Sequence, residues 1–578
     1  MANEFIPQLP GTARRLLPNR WDFLALPLII GLLVVGASGI RETLAPLAGP
    51  SVEAISLDPA MLPEYALRTT LRMLAALAAS LLFTFTYGTL AAKSRRAEKV
   101  LVPILDILQS VPVLGYISFT VVFFLSLFPG RVLGAELAAI FAIFTSQAWN
   151  MTFSFYQSLR TLPPDLIEVS SSMRLTPWQK FWKLEVPFAM PGLIWNMMMS
   201  MSGGWFFVVA SEAITVGDKS ITLPGVGAYL ASAIADSNMA AVGWVILAMI
   251  GVIVLYDQLL FRPMVAWADR FRLESTSAQI APASWVLNLV HRTSLIQSLL
   301  RPFGRLLRKL ARARFTISLP RASGTGRTRL SRAIDVIWSL LVSVLAGYLL
   351  WRTIRYVHTE AGLAELVKVV GLGLLTLLRV LVLIALASLI WVPVGVMIGL
   401  RPKLAEKIQP LAQFLAAFPA NLLFPVFVFG IVHFHLNPDI WLSPLIVLGV
   451  QWYILFNVIA GATAFPNDFR EAATNFRIHG WQWWRKIMLP GIFPYYVTGA
   501  ITASGGAWNA SIVSEAVSWG STSLSAHGLG SYIAQSTAAG DYPKIVLGIA
   551  VMSIMVVCFN RFLWRPLYAI AENKLRMN

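Results

Sequence analysis

Cysteine and acidic residues are scarce in this chain of 578 residues. The single cysteine, Cys558, excludes a disulfide framework and a metal site built from cysteines. Asp and Glu number 28 against 46 Lys and Arg, and charged residues make up only 13% of the sequence. Hydrophobic residues make up 57%, which is more apolar surface than one soluble core can bury. The composition therefore predicts an integral membrane protein.

Long apolar runs supply the membrane-spanning segments. A helix needs about 20 apolar residues to cross a bilayer, and it satisfies its own backbone groups there. In the first half the runs lie near 24–40, 68–92, 100–128, 134–155, 190–214 and 240–261. In the second half they lie near 334–351, 365–400, 408–432, 441–464, 493–514 and 543–562. The predicted fold is an all-α integral membrane protein with about twelve transmembrane helices. Since the run at 365–400 exceeds one perpendicular span, we expect it to tilt or to lie partly along the interface.

Positive charge collects at the ends of these runs. With twelve spans, the Lys and Arg clusters fall on one side, which is the cytoplasmic side, and both termini face it. The net charge of +18 is then mainly a signal of topology. Because the charge is scattered and no nucleic-acid-binding module accompanies it, we expect no nucleic-acid partner.

The chain repeats itself at a spacing of 303 residues. This register pairs Trp149 with Trp452, and further upstream the spacing drifts to about 307. Chance similarity between apolar segments would align Leu, Ile and Val, whereas this register also aligns Trp, Pro, Gly and Glu. We predict two homologous six-helix halves, 1–262 and 334–578, related by a pseudo-twofold axis along the membrane normal.

The segment 263–333 joins the halves and is rich in Lys and Arg. Leucines at helical spacing between the basic residues predict an amphipathic helix on the cytoplasmic surface of the lipid bilayer. A docking surface for a partner is the alternative interpretation.

Each half also contains a polar, aromatic and basic island, at 163–187 and 466–490. The second begins "EAATNFRIHGWQWWRKIMLP" at Glu471. Its apolar residues are too few for a span and too many for a solvated loop. We therefore expect both islands to pack into a groove on another protein.

The spacing of the second island resembles the coupling motif of ABC importer permeases, E-A-A-x3-G-x9-I-x-L-P. Glu471, Ala472 and Ala473 open the motif, and Pro490 closes it. The later Glu and Gly-x-Gly stretches resemble the permeases that handle nitrate, taurine and other sulfonates.

The first island is a weaker copy that keeps Glu168 and Pro187. At the glycine of the motif both copies carry arginine, Arg174 and Arg477, which leaves the geometry of the turn open. Both copies also carry a matching tryptophan, Trp178 and Trp481.

The resemblance implies a type I importer-like permease in a bacterial inner membrane. Two ATPase subunits would dock at the islands, which act as coupling helices, and an external solute-binding protein would deliver a small anion. ATP and Mg would be bound by the partner ATPase, since this chain has no G-x4-G-K-[ST] loop and we expect no cofactor, catalytic residue or metal site in it. One fused chain would supply both permease halves. The alternative is an ion-coupled secondary carrier, which would need carboxylates inside the membrane.

Seven residues are candidates for the path or the outer face. Trp205, Trp508 and Asn509 either line the path or serve helix packing. Arg72 and Arg379 either attract an anion from outside or snorkel to the interface. Glu212 and Glu515 either cap loop structure or contact the binding protein.

Overall fold

A computed structural model describes most of the chain. It covers residues 55–110, 113–216, 219–271, 284–313, 362–463, 465 and 467–574, with scattered helical positions between 338 and 359. Helices make up nearly all of it, as the long apolar runs predict.

The first half is a series of helices with one hairpin near its end. The helices are α1 (Leu62–Phe83), α2 (Thr89–Lys93), α3 (Arg95–Ser110), α4 (Val113–Leu127), α5 (Val132–Arg160), α6 (Pro164–Ser172), α7 (Pro177–Lys180), α8 (Val186–Ser211), α9 (Val226–Ala235), α10 (Met239–Tyr256) and α11 (Arg262–Ala268). The antiparallel strands are β1 (Ala213–Val216) and β2 (Lys219–Thr222). The linker follows with α12 (Trp285–Arg292) and α13 (Ser294–Arg312).

The second half repeats this order. Its helices are α14 (Gly362–Gly399), α15 (Pro402–Ala417), α16 (Phe424–His433), α17 (Pro438–Trp441), α18 (Ser443–Leu448), α19 (Gln451–Thr463), α20 (Asn467–Asn475), α21 (Gly480–Trp483), α22 (Leu489–Ser514), α23 (Leu529–Ala539), α24 (Tyr542–Phe559) and α25 (Arg565–Lys574). Its antiparallel strands are β3 (Ala516–Trp519) and β4 (Thr522–Ser525).

The repeat extends to local backbone detail. The hairpins of the two halves lie 303 residues apart. So do the π-helical turns Phe181–Glu185 and Trp484–Met488, which lead into α8 and α22. The sequence predicts neither the hairpins nor the π-helical turns. The strands of the hairpins have only four residues each, which is too short to show a periodic pattern.

The described residues contain six helices long and apolar enough to cross a membrane, or eight if each of two bent helix pairs counts as one span. The prediction of an all-α membrane protein is confirmed, although the described part does not reach twelve spans. The run at 24–40 lies outside the described residues, and 334–351 contributes only scattered positions. In α22, Thr, Ser, Gly and Asn lower the hydropathy, so this helix is not among the six.

Two predicted runs differ in shape from a straight span. The run at 100–128 consists of two helices, α3 and α4, and α3 is amphipathic rather than uniformly apolar. Its counterpart at 408–432 is bent by 73° between Ala417 and Ala420, beside Pro419. The run at 365–400 is one helix of 38 residues, α14, which at about 1.5 Å per residue exceeds the hydrocarbon thickness.

The two halves interdigitate. Leu422, Phe424 and Leu445 of the second half are buried in the core of the first half, and Val113 and Ala138 of the first half are buried with helices of the second.

Two hydrogen bonds tie the halves together at matching places. Asn421 Nδ2 donates to the Phe206 carbonyl oxygen at 3.0 Å. The Val113 amide donates to Asn509 Oδ1 at 2.7 Å. Since positions 206 and 509 are equivalent in the repeat, each half holds α8 or α22 of the other.

Candidate functional site

Each predicted island folds as two short helices joined by a turn. In the first island α6 is followed by α7, and in the second α20 is followed by α21. Pro177 begins α7 behind a Thr176 and Gln179 capping box. We call the two islands, 163–187 and 466–490, the coupling segments.

Arg174 and Arg477 resolve the question of the missing glycine. Their φ angles are 49° and 51°, the left-handed region that glycine adopts most easily. Both arginine side chains are exposed. The turn between the two short helices is thus kept in both halves with arginine at the glycine position.

The coupling segments present apolar side chains to the exterior. Met173 is 68% exposed and its equivalent Phe476 is 77% exposed. Glu168 and Glu471 are exposed, whereas Ala473 is buried. Exposed apolar residues at the same place in both halves are typical of a protein interface. The sequence analysis did not single out Met173 and Phe476, although both directly precede the arginine turn.

The matching tryptophans differ in their surroundings. Trp178 Nε1 donates to the carbonyl oxygen of Leu310 in the linker at 2.7 Å, whereas Trp481 is 72% exposed. Pro187 is buried and Pro490 is partly buried, where each coupling segment enters α8 or α22. The two coupling segments therefore present unequal surfaces.

A buried ion cluster joins three segments of the first half where α8 ends. Arg72 of α1 binds Glu136 through two bonds of 2.6 Å and Glu212 through one of 2.7 Å. Thr69 also donates to Glu212 at 2.7 Å. Arg72 is only 4% exposed. The snorkelling interpretation is wrong here, because the protein itself supplies the partners that a buried guanidinium needs.

The second half contains an equivalent cluster with longer bonds. Arg379 contacts Asp439 at 3.1 Å and Glu515 at 3.2 Å, and Thr376 donates to Glu515 at 2.9 Å. The Arg379 side chain is 15% exposed, so snorkelling is wrong here as well. These contacts give no support to either arginine as an anion-attracting residue.

The Glu and Gly-x-Gly stretches are explained by loop capping. Glu212 accepts from the Gly227 amide at 2.7 Å, and Glu515 accepts from the Gly530 amide at 2.8 Å. Each carboxylate therefore caps the first turn of α9 or α23, where helix amides lack partners. A Cβ atom at Gly225 would overlap the Glu212 carboxyl.

Both glutamates are buried, with Glu212 0% and Glu515 1% exposed. Their predicted contact with a binding protein is therefore wrong for this conformation. Burial raises the pKa of both carboxyls, and Arg72 and Arg379 oppose that rise.

The tryptophan candidates for the path lie inside the protein. Trp205 and Trp508 are each 1% exposed, and Trp205 packs edge-on against Tyr256 at 5.5 Å between ring centroids. Asn509 is partly buried and bonds to Val113, as described above. The contacts of Trp508 and Asn509 match the helix-packing alternative, whereas Trp205 also lines the cavity described below.

A different face of α8 contacts the second half. On α8 it carries Trp195, Met199 and Phe206. Trp195 stacks on Phe456 of the second half at 5.2 Å, and Met199 packs against the core of the second half.

The equivalent face of α22 is polar. It carries Thr498, Thr502 and Asn509, and both threonines are exposed. Residues four and seven apart share a face of a helix, so the three side chains lie in line. The face of α8 that contacts the second half is thus aromatic and thioether-bearing, whereas the equivalent face of α22 carries hydroxyl and amide groups.

A cavity of about 580 Å³ opens between the two halves, beside this face of α8. Trp195 and Trp205 line it from α8, and Tyr453 and Phe456 line it from α19. The ion pair between Asp257 and Arg262, at 3.1 Å, lies at its margin. Most of the lining is apolar, which is typical of small-molecule sites and of seams between moving halves.

Buried carboxylates do not form an ion-coupling relay among the described residues. The buried ones are Glu185, Glu212 and Glu515, and Glu185 pairs with Lys93 at 2.7 Å. His433 stacks on Phe429, and no group of three His, Cys, Asp or Glu side chains in the described part of the chain could hold a metal.

Sequence reasoning missed Glu136 and Asp439, which each supply the second carboxylate that binds the arginine of an ion cluster. The repeat register could have found them, because it places Glu136 on Asp439 at the spacing of 303. Both halves thus carry an acidic residue and an arginine at equivalent positions. This pattern predicts that the same ion pair forms in each half.

Comparison with protein families gives two matches in the chain. Both are to the family described as binding-protein-dependent transport system inner membrane component, at residues 84–262 and 391–565. The starts of the two matches lie 307 residues apart and their ends 303 apart, the two spacings of the repeat. The matches leave out the linker.

Several curated relatives are similar over part of the chain. The bicarbonate transport system permease protein CmpB of Synechococcus elongatus is 27% identical over 178 residues, covering 31% of this chain and 61% of the relative. The glycine betaine/proline betaine transport system permease protein ProW of Escherichia coli is 27% identical over 227 residues, covering 39% and 59%. The taurine transport system permease protein TauC of Escherichia coli is 24% identical over 233 residues, covering 40% and 80%. The alignments span less than two thirds of the bicarbonate and betaine relatives.

Proposed function

Because the chain belongs to the family of binding-protein-dependent transport system inner membrane components, we propose that it is the membrane permease of an ATP-driven importer. It carries both permease halves and forms the path for a small solute. The chain sits as a multi-pass protein in the inner membrane of a bacterium, with both termini in the cytoplasm.

The observation that carries this proposal is the pair of coupling segments. Both keep the same turn at Arg174 and Arg477, and both expose an apolar side chain beside it, Met173 or Phe476. Two ATPase subunits dock there, one on each segment, and bind the ATP and Mg. Closure of the ATPase pair brings the coupling segments together and rocks the two halves about their seam.

The solute carries a compact oxyacid group. The names of the relatives mention bicarbonate, betaine and taurine. Betaine carries a carboxylate, taurine carries a sulfonate, and bicarbonate is itself an oxyanion. The hydroxyls of Thr498 and Thr502 donate here to the Pro494 and Thr498 carbonyls and can rotate to donate to such a group, while Asn509 Nδ2 has a second N–H beside its bond to the Gly505 carbonyl. The solute passes between α8 and α22, and an external binding protein delivers it.

The test co-purifies this chain with the ATPase encoded beside it, reconstitutes the complex in lipid and measures the rate of ATP hydrolysis by the complex. A panel of bicarbonate, nitrate, taurine and betaine is added, with and without the neighbouring binding protein. Stimulation by one loaded binding protein supports the proposal and identifies the solute. Failure of the chain to associate with any ATPase would overturn it.

A paired substitution tests the docking sites. Glu168→Ala with Glu471→Ala removes exposed charges from both coupling segments without touching a span. We expect less ATPase to co-purify while the yield of membrane-inserted protein stays unchanged. Normal complex yield and normal transport in the double variant would contradict this role.

A further inference from the structure

The linker is attached to the first half at both ends of its described helices. At the start, Trp285 Nε1 donates to Gln258 Oε1 at 3.2 Å, beside the π-helical turn that follows α10. At the end, the last turn of α13 meets the first coupling segment through Leu310 and Arg312.

The contact at the end of α13 adds side-chain donors to carbonyl oxygens of its last turn, where the Leu310 oxygen also accepts from the Ala313 amide at 3.2 Å. The last four carbonyl oxygens of a helix have no intrahelical donor. Trp178 Nε1 donates to the Leu310 oxygen at 2.7 Å, and Gln179 Nε2 donates to the Arg312 oxygen at 2.9 Å. Two neighbouring side chains of α7 thus cap the end of α13.

The donors belong to the repeat, but their acceptors do not. The register places Trp178 on Trp481 and Gln179 on Gln482. In the second half Trp481 is 72% exposed and Gln482 is exposed. The described part of the second half places no helix in the position that α13 occupies beside α7.

The outer surface of α13 continues the surface of the first coupling segment. Leu306 and Leu310 are 53% and 45% exposed, and Arg305 and Lys309 are exposed beside them. Met173, 68% exposed, belongs to the segment that α13 contacts.

We propose that α13 is a built-in part of the first ATPase docking surface, so that the two docking sites of the permease are unequal. The ATPase subunit on the first half meets both Met173 and the last turns of α13. The subunit on the second half meets Phe476 and the bare indole of Trp481. This inference rests on the proposed function, since it requires ATPase subunits at the coupling segments.

The first arm of the test needs no ATPase. Trp178→Phe keeps the ring but removes the indole donor. Gln179→Glu keeps the acceptor oxygen that receives the Thr176 amide at 3.2 Å and removes the donor to Arg312. The double variant is exposed to trypsin in membrane vesicles with the cytoplasmic face outward, and cleavage after Arg305, Arg308, Lys309 and Arg312 is followed by mass spectrometry.

We expect cleavage in α13 to be about tenfold faster in this variant than in the wild type. The matched control is Trp481→Phe with Gln482→Glu, which removes the equivalent donors in the second half and leaves cleavage in α13 unchanged. Equal cleavage in the wild type and both variants would overturn the attachment of α13 to α7.

The second arm measures binding of the ATPase subunit encoded beside this chain to the full-length permease. Phe476→Asp weakens docking at the second coupling segment, so that binding reports mainly on the first. Met173→Asp weakens docking at the first coupling segment, so that binding reports mainly on the second. The Trp178→Phe and Gln179→Glu pair is then added to each background. We expect it to weaken ATPase binding several-fold in the Phe476→Asp background and to leave binding unchanged in the Met173→Asp background.

Other results of the binding measurement would contradict the proposal. An equal effect in both backgrounds, no effect in either, or stronger binding after release of α13 would each overturn the unequal docking surface. If the wild-type chain binds no ATPase at all, the proposed function fails, while the trypsin arm still reports on the contact between α13 and α7.

Discussion

Arg174 and Arg477 lie 303 residues apart and hold the same left-handed backbone conformation, with φ angles of 49° and 51°. A non-glycine residue in this region costs about 1–2 kcal/mol. Finding the same unfavourable conformation twice shows that the turn between the two short helices is required in both halves, whichever residue occupies it.

The first prediction concerns this turn. Arg477→Gly relieves the strain of the left-handed conformation but makes the unfolded chain more flexible. The free energy of unfolding should therefore change by less than about 1 kcal/mol. We expect the thermal unfolding temperature and ATPase co-purification to stay near wild type. Arg477→Val places a β-branched residue at positive φ and should reduce co-purification. If the glycine variant also loses the ATPase, the arginine side chain itself makes the contact.

The second prediction compares the two buried ion clusters around Arg72 and Arg379. Arg72→Leu leaves Glu136 and Glu212 without their cation in a buried site, and removing one partner of a buried pair costs about 3–5 kcal/mol. Arg379→Leu should cost less, because the Arg379 side chain is 15% exposed against 5% for Arg72 and its ion pairs are longer. Thermal unfolding of the detergent-solubilised protein measures both.

The control for the ion clusters is Arg262→Leu. Arg262 is 46% exposed and pairs with Asp257 at 3.1 Å, a setting in which an ion pair contributes about 0–1 kcal/mol. Equal losses of stability in all three variants would show that burial does not set the strength of these clusters.

The third prediction concerns the close approach between Gly225 and Glu212. In Gly225→Ala the new Cβ atom would overlap the carboxyl group, so the carboxylate must leave the first turn of α9. We expect a clear loss of thermal stability. Gly251→Ala in α10 is the matched control, because no atom lies within 4 Å of its added Cβ. A stable Gly225→Ala variant would mean that Glu212 does not need its present position.

The fourth prediction concerns Thr502 on the polar face of α22. Thr502→Val keeps the size of the side chain and removes the hydroxyl. If the hydroxyl contacts a solute oxyanion, the loss of about 1.5 kcal/mol lowers transport about tenfold. Uptake into vesicles is measured together with ATPase co-purification, which should not change.

Thr161→Val is the control for Thr502. Thr161 is exposed and its hydroxyl donates to the Gln157 carbonyl at 3.1 Å, just as Thr502 donates to the Thr498 carbonyl at 3.0 Å. Thr161 is the C-cap residue of α5 and does not line the cavity between the halves. Unaltered uptake in Thr502→Val would remove this threonine from the path.

The sequence alone was sufficient to predict the repeat, the all-helical membrane fold and the two coupling segments. These features depend on hydrophobic runs and on residues spaced along one segment, such as Glu471 and Pro490. The repeat register could have marked Glu136 as a candidate, but its contact with Arg72 could not be derived in this way, because Glu136 and Glu212 are distant in sequence and meet Arg72 only through tertiary packing. Hydrophobic patterning shows that a charge in a span needs compensation, but it does not show whether water, lipid or a carboxylate provides it.

The linker contact escaped prediction for a related reason. The amphipathic pattern of 284–313 predicts a helix at a surface, but a carbonyl oxygen at a helix end has no sequence signature. The acceptors of Trp178 and Gln179 are backbone atoms of Leu310 and Arg312, so the same contact could form with other side chains at those positions.

The interdigitated cores impose an order of events during synthesis. Leu422, Phe424 and Leu445 are buried in the core of the first half, and Trp519 belongs to the same core. A ribosome that has completed the first half must add well over a hundred more residues before Leu422 emerges. At about 5–20 residues per second, this takes on the order of ten seconds or more. During that interval the part of the first-half core that Leu422, Phe424 and Leu445 occupy stays unfilled.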